Sequence, residues 1–290
     1  MSMPGVHVVH WNPRRNSLPF FRRFPVGHRV NNFGDLLGPL VVDLLLGRHG
    51  VAGTSSGRRS RATTTRLLSV GSIMHFARDG DTVWGSGVNG KVPLHAHSAH
   101  SLDVRAVRGP LTARWLREKR GIEAPPVYGD PALLIPTLLP GLKQVEKTAS
   151  LTVIPNLNER ETYASHPAYL DPRGAPLDIV RHIASSAVVV ASSLHGFVIA
   201  EALGVPAALL KTDHEPAFKY LDYLLGTGRD SVPMFTSVER ALDHARGLDP
   251  DRDDPLANWA PDRLIESFPS DLWLREDQEN STARRELNNS

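Results

Sequence analysis

The residues best suited to chemistry stand where strands hand over to helices. Ala187-Val-Val-Val-Ala-Ser-Ser-Leu-His195-Gly is a continuous apolar run closing on two serines and a histidine, and apolar positions at helical spacing continue to Gly204. Such a run reads as a parallel strand covered on both faces, and ligands of such sheets sit at the carboxyl ends of the strands. Ser192 or Ser193 would cap the new helix, and with Gly196 they form a turn whose free N–H groups favour an anion. His195 would stand beside that anion, able to give or take a proton near neutral pH. Taken alone, a histidine in an apolar segment reads as a satisfied core residue, but the turn position favours chemistry.

A second turn, Asn31-Asn32-Phe-Gly34-Asp35, precedes an apolar helical pattern. Asp35 is there either an N-cap or a general base aimed at a hydroxyl, with Asn32 beside it. Arg105, Arg108 and Arg114 bracket Val107-Arg-Gly-Pro-Leu-Thr112, where a guanidinium can fork around phosphate or carboxylate oxygens. Tyr128-Gly-Asp130-Pro131 is another strand-end turn, and Lys211 adds a cation after the strand 207–210.

Two louder patterns carry less. Gly85-Ser-Gly87-Val-Asn-Gly90 matches the dinucleotide fingerprint, but Pro93 and the absence of an apolar period stop a helix from following it. The glycines instead let a strand end approach another backbone or a ligand closely. His95, His97 and His100 crowd into six residues without cysteine, an HExxH helix or an acidic neighbour before Asp103, so no metal site is assigned and a surface or cleft loop is expected.

The elements that must position these groups alternate. A strand at 6–11 and a helix over 35–46 open the chain; short strands follow at 67–70, 82–84 and 104–107, and a helix runs from Pro110 to Lys119 before Gly121. Pro140, Gly141 and mixed charge break the alternation. It resumes with a strand at 151–154, a helix at 177–186, the buried strand and its helix, a strand at 207–210, and helices near Pro216 and Ser237. Strands alternating with helices predict α/β architecture with parallel sheets. The boundaries are residues 1–143, 144–275 and a disordered polar tail at 276–290.

Composition sets the outer limits. Of 290 residues, 41% are hydrophobic and 22% charged, as in a soluble globular protein, and 33 Lys and Arg against 31 Asp and Glu leave +2, too little to suggest a nucleic-acid partner. There is no cysteine, no secretory leader and no apolar run able to span a bilayer, so a cytoplasmic protein is expected. Basic clusters at Arg14, Arg15, Arg22, Arg23 and Arg29, and at Arg58, Arg59, Arg61 and Arg66, are solvated loop charge or a means of holding an anionic, lipid-linked substrate at a membrane surface.

Taken in order, Asn32-Phe-Gly-Asp35, Val107-Arg-Gly-Pro-Leu-Thr112, Tyr128-Gly-Asp-Pro-Ala132 and Ser192-Ser-Leu-His-Gly196 resemble the polysaccharide pyruvyltransferase family. The resemblance implies a GT-B-like fold, two Rossmann-like domains facing a central cleft. It implies transfer of the pyruvyl group of phosphoenolpyruvate, a substrate and the only cofactor-like molecule, onto a sugar of an exopolysaccharide or cell-surface glycan precursor as a cyclic ketal. The acceptor would be an oligosaccharide, free or lipid-linked, held by the N-terminal domain, with peripheral contact at the inner face of the membrane. The family often has Ser-Arg-Leu-His-Gly where this chain has Ser193-Leu-His195. Anion binding there would then rely on the helix N-terminus or on another cation, Lys211 or Arg29; Arg108 would be the main anion clamp, His195 the general acid, and Asp35 a base or acceptor-orienting residue. A nucleotide-sugar glycosyltransferase is the alternative, since the same cleft could hold a sugar diphosphate.

Overall fold

A computed structural model of the chain describes residues 5–15, 28–48, 65–249 and 252–273. Arg22, Arg23, Arg58, Arg59 and Arg61 and the expected tail lie outside these. The N-terminal half builds a four-stranded parallel sheet, order β1-β4-β5-β6, from β1 (His7–Val9), β4 (Arg66–Leu68), β5 (Asp81–Trp84) and β6 (Leu102–Ala106). A small antiparallel pair, β2 (Arg14–Arg15) with β3 (His28–Arg29), interrupts the first crossover before α1 (Phe33–Arg48). After β6, α2 (Pro110–Arg120) begins with its proline in the first turn, where the missing N–H is harmless, and ends at Gly121 in the left-handed conformation (φ 67°).

A 3-10 turn (Pro131–Leu134), α3 (Ile135–Leu138) and a further 3-10 turn (Pro140–Gln144) lead to the second half. There β7 (Thr152–Ile154), α4 (Arg160–Tyr163), α5 (Pro176–Ala184), β8 (Val189–Ala191), α6 (Leu194–Ala202), β9 (Ala207–Leu210), α7 (Phe218–Gly226), β10 (Met234–Phe235) and α8 (Val238–Arg246) form a second parallel sheet, order β10-β9-β8-β7. β8 is interior to its sheet and every residue of it is buried, which is why its sequence lacks the alternation of a half-exposed strand. α6 is enclosed all round: all nine of its residues are buried, His195 and Glu201 among them.

One apolar cluster joins the halves, running from Phe33, Leu37 and Val41 on α1 through Leu134 and Ile135 to Ile183, Val198 and Tyr223. The chain then returns. α9 (Pro261–Glu266) packs on the first sheet, where the buried Trp84 indole donates to the Leu264 carbonyl at 2.9 Å and meets Phe268 edge-on, and the Trp259 indole donates to the Tyr128 carbonyl. Among the described residues no helix is long and apolar enough to cross a membrane.

Candidate active site

Six crossover loops leave the carboxyl ends of β1, β4, β5, β7, β8 and β9 and surround one cavity of about 380 Å³. Trp11, Asn32, Asp35, Ser72, His75, Asn89 and Lys91 line it from the first half, and Asn156, Asn158, Ser193, His195, Glu215 and Lys219 from the second. Parallel sheets put their ligand sites at this edge because successive crossovers open there.

His195 occupies the first turn of α6 and is 9% exposed. Its Nε2 lies 3.4 Å from Oδ2 of Asp130, which is fully buried beneath it. The other face of the imidazole lies on the start of α1: a Cβ built on Gly34 would fall 2.4 Å from His195 Nδ1. Glycine at 34 is therefore a condition for the ring's position. Ser193 caps α6, its Oγ accepting from the Gly196 N–H at 3.2 Å, a bond whose loss costs about 1 kcal/mol.

Asp35 sits one residue beyond Gly34 in α1 and faces the cavity, half-buried. Enclosure by protein pushes its carboxyl above the usual carboxylate range, against the pull of the Asn32 amide, which donates to it at 2.6 Å, and of the charges on His195 and Lys219. Asn32 is aimed by the Asn12–Asn31 pair, whose reciprocal bonds fix the preceding residue, Asn31, at φ 54°.

Opposite stand two cations. Glu215 is gripped by Lys91 at 2.6 Å and by Lys219, one turn on, at 3.0 Å. Burial raises the Glu215 carboxyl, but the two ammonium groups outweigh it and hold it below its ordinary value; burial lowers Lys219 in spite of Glu215. His75 is likewise pushed down, by burial and then by Lys91.

The structure corrects several expected roles. Arg108 has no exposed surface and cannot clamp a ligand in the cavity: its guanidinium is spent on Asp222 of α7, the Ser72 hydroxyl and the Val88 carbonyl. Thr112 of the same motif donates its N–H to Oδ1 of Asp222 and its hydroxyl to Oδ2, the oxygen that Arg108 also holds, so Val107–Thr112 fastens the first sheet to α7. Ser192 is also sealed, its hydroxyl donating to Glu159 and accepting from the Asn156 N–H. Gly196 serves packing, since a Cβ there would meet Ile154 at 2.5 Å. Lys211 is exposed outside the cavity lining, where its N–H pairs with Phe235. Arg29 lies exposed on β3, bonded to the Asn12 carbonyl. The histidine-rich loop disperses: His95 is exposed, His97 is buried on Trp115, and His100 meets Arg120. Among the described residues no three His, Cys, Asp or Glu side chains gather as a metal site.

Glu215, Lys219, Asn156 and Trp11 complete the lining without standing in any of the four motifs. The signal was available for the first pair, an acid and a lysine four residues apart after the β9 strand end.

The sequence pattern of the polysaccharide pyruvyl transferase family matches residues 32–214, which takes in all four motifs. Succinoglycan biosynthesis protein ExoV of Rhizobium meliloti (strain 1021) is 31% identical over 235 residues, 75% of this chain and 70% of that protein. A crystal structure of an uncharacterized protein from Klebsiella pneumoniae overlays with a TM-score of 0.45 at 11% identity, over 81% of this chain and 93% of that one, too remote to bear on function. The matched pattern spans both walls of the cavity, from Asn32 and Asp35 to His195, and the chain belongs to the polysaccharide pyruvyl transferase family.

Proposed function

We propose that the chain transfers the pyruvyl group of phosphoenolpyruvate to two hydroxyls of one sugar in an exopolysaccharide precursor, forming a cyclic ketal and releasing phosphate. The observation that carries this reading is the meeting of His195 and Asp35, an imidazole and a carboxylate from different halves, in one cavity that also holds Lys91 and Lys219. Family membership supports pyruvyl transfer, and the name of the Rhizobium relative points to an extracellular polysaccharide.

In this scheme the imidazolium of His195 protonates the methylene carbon of phosphoenolpyruvate and leaves an electrophilic centre at the adjacent carbon. A sugar hydroxyl adds there and loses its proton to Asp35, whose raised affinity for protons suits a base. Phosphate then departs, and a second hydroxyl of the same sugar closes the ring, its proton leaving with the phosphate. Lys219, Lys91 and the amino end of α6 neutralise the donor's carboxylate and phosphate, so turnover is expected to continue in excess chelator. The donor lies against α6 in the C-terminal half of a GT-B-like pair of domains divided near residue 143, and the sugar lies on the N-terminal side, where Trp11 and His75 offer flat faces. The acceptor is an oligosaccharide, free or lipid-linked; for a lipid-linked one, basic residues near Arg14 and Arg29 draw the cytoplasmic protein to an anionic membrane surface.

Calorimetry tests the donor. Phosphoenolpyruvate binds, more weakly as salt rises and in Lys219→Ala, while sugar nucleotides do not. Tight binding of a nucleoside diphosphate sugar instead would identify a glycosyltransferase. His195→Ala lowers turnover by about two to four orders of magnitude with little change in donor affinity.

A further inference from the structure

We infer that Asp130 is a positioning residue that holds His195 with Nε2–H toward the buried carboxylate and leaves Nδ1, on the Gly34 side of the ring, as the nitrogen that exchanges a proton. The inference rests on the catalytic role proposed for His195, but its geometry stands apart from the identity of the substrate. Asp130 is fully buried, so it cannot touch a ligand in the cavity. Its Oδ1 accepts from the Ala132 N–H at 3.0 Å, capping the 3-10 turn that Pro131 initiates. That bond and the fixed φ of the proline set the carboxylate's direction. Among the described residues Oδ2 has no other partner, and neither has Nε2 of His195, 3.4 Å away and also sealed.

Two buried, otherwise unpartnered polar atoms at this distance define a proton position. A carboxylate oxygen only accepts, and leaving it unpaired in the interior costs about 1–3 kcal/mol or more. The ring nitrogen facing it must therefore carry hydrogen. In the neutral ring Nδ1 then keeps its lone pair, and in the imidazolium Nδ1 holds the transferable proton. Nδ1 lies at Gly34, on the turn of α1 that presents Asp35. The charged groups around the ring are Asp130 below, Asp35 on α1, and Lys219 with Glu215 across the cavity. Of these Asp130 alone contacts Nε2 within ion-pair distance among the described residues. The Tyr-Gly-Asp-Pro turn thus acts on the chemistry through His195.

Asp130→Asn separates this from a structural role. Asparagine preserves the shape and the bond to Ala132, but its amide can turn a donor toward Nε2 and so move the ring proton to Nδ1. Nitrogen NMR of selectively labelled histidine, in protein without substrate, is expected to show the Nε2–H form of His195 in the parent and the Nδ1–H form in the variant. Turnover falls by about two to four orders of magnitude with phosphoenolpyruvate affinity within about threefold. A parent ring in the Nδ1–H form, or a variant with unchanged tautomer and kcat, would overturn the inference. If neither protein turns over phosphoenolpyruvate, the donor reading fails, and the tautomer measurement still decides the role of Asp130.

Discussion

Gly34 and His195 touch across the seam between the two halves, so closely that a methyl group at 34 would stand 2.4 Å from His195 Nδ1. The contact couples the first motif of the sequence to the last. Gly34→Ala should favour helix α1 locally by up to about 1 kcal/mol, because alanine is the better helix former. It should nonetheless displace the imidazole and lower kcat about a hundredfold, the usual consequence of a misplacement near 1 Å. Thermal melts alongside steady-state turnover check this; an active Gly34→Ala protein would mean the ring has another working position.

Arg108 and Asp222 form a buried ion pair, both side chains wholly enclosed. Arg108→Ala would leave the Asp222 carboxylate without its charge partner, an effect of about 3–5 kcal/mol, readable as a fall in urea midpoint. Donor clamping by Arg108 predicts the reverse pattern, weaker phosphoenolpyruvate binding at unchanged stability.

Asp35 carries a raised carboxyl pKa in the folded state because enclosure disfavours its charge. Between its ordinary pKa and the raised one, the folded state binds more protons than the unfolded state, so stability declines as pH rises through that window. Asp35→Asn removes the burden. The variant should melt higher than the parent at neutral pH, lose that advantage once pH falls below the ordinary aspartate range, and be inactive throughout. Equal melting temperatures at neutral pH would contradict the assignment.

His97 works in the opposite direction. Burial against Trp115 lowers its pKa from 6.5 to about 4, so between these values the unfolded state takes up the proton and the folded state does not. Its contribution is complete above pH 6.5 and is lost on acidification toward pH 4, with a slope of at most about 1.4 kcal/mol per pH unit. His97→Phe should flatten the acid limb of the stability curve. An unaltered limb in urea titrations would place the acid sensitivity elsewhere.

Much of the architecture was legible from periodicity and punctuation. The apolar run into Ser192 and Ser193 marked β8 and α6, and Pro110 with Gly121 marked both ends of α2, because these signals are local. His195, Asp35, Asn32 and Ser193 were singled out for the same reason and share one cavity. What escaped was set by tertiary structure. Nothing in Val-Arg-Gly-Pro-Leu-Thr reveals that Asp222, 114 residues away, consumes the arginine. Short elements such as β10 and α9 carry too little period to declare themselves, and the return of α9 onto Trp84 is a long-range pairing. Lys219 lay in a segment read only as helical, and its role depends on which loops converge.

The most direct measurement is incubation of the protein with phosphoenolpyruvate and a panel of free and lipid-linked oligosaccharides, followed by mass spectrometry of the glycan and assay of phosphate. The account predicts one acceptor that gains a pyruvyl ketal with one phosphate released per ketal, and neither product with His195→Ala. Phosphate release without a ketal-bearing glycan, or glycosyl transfer from a sugar nucleotide in its place, would contradict it.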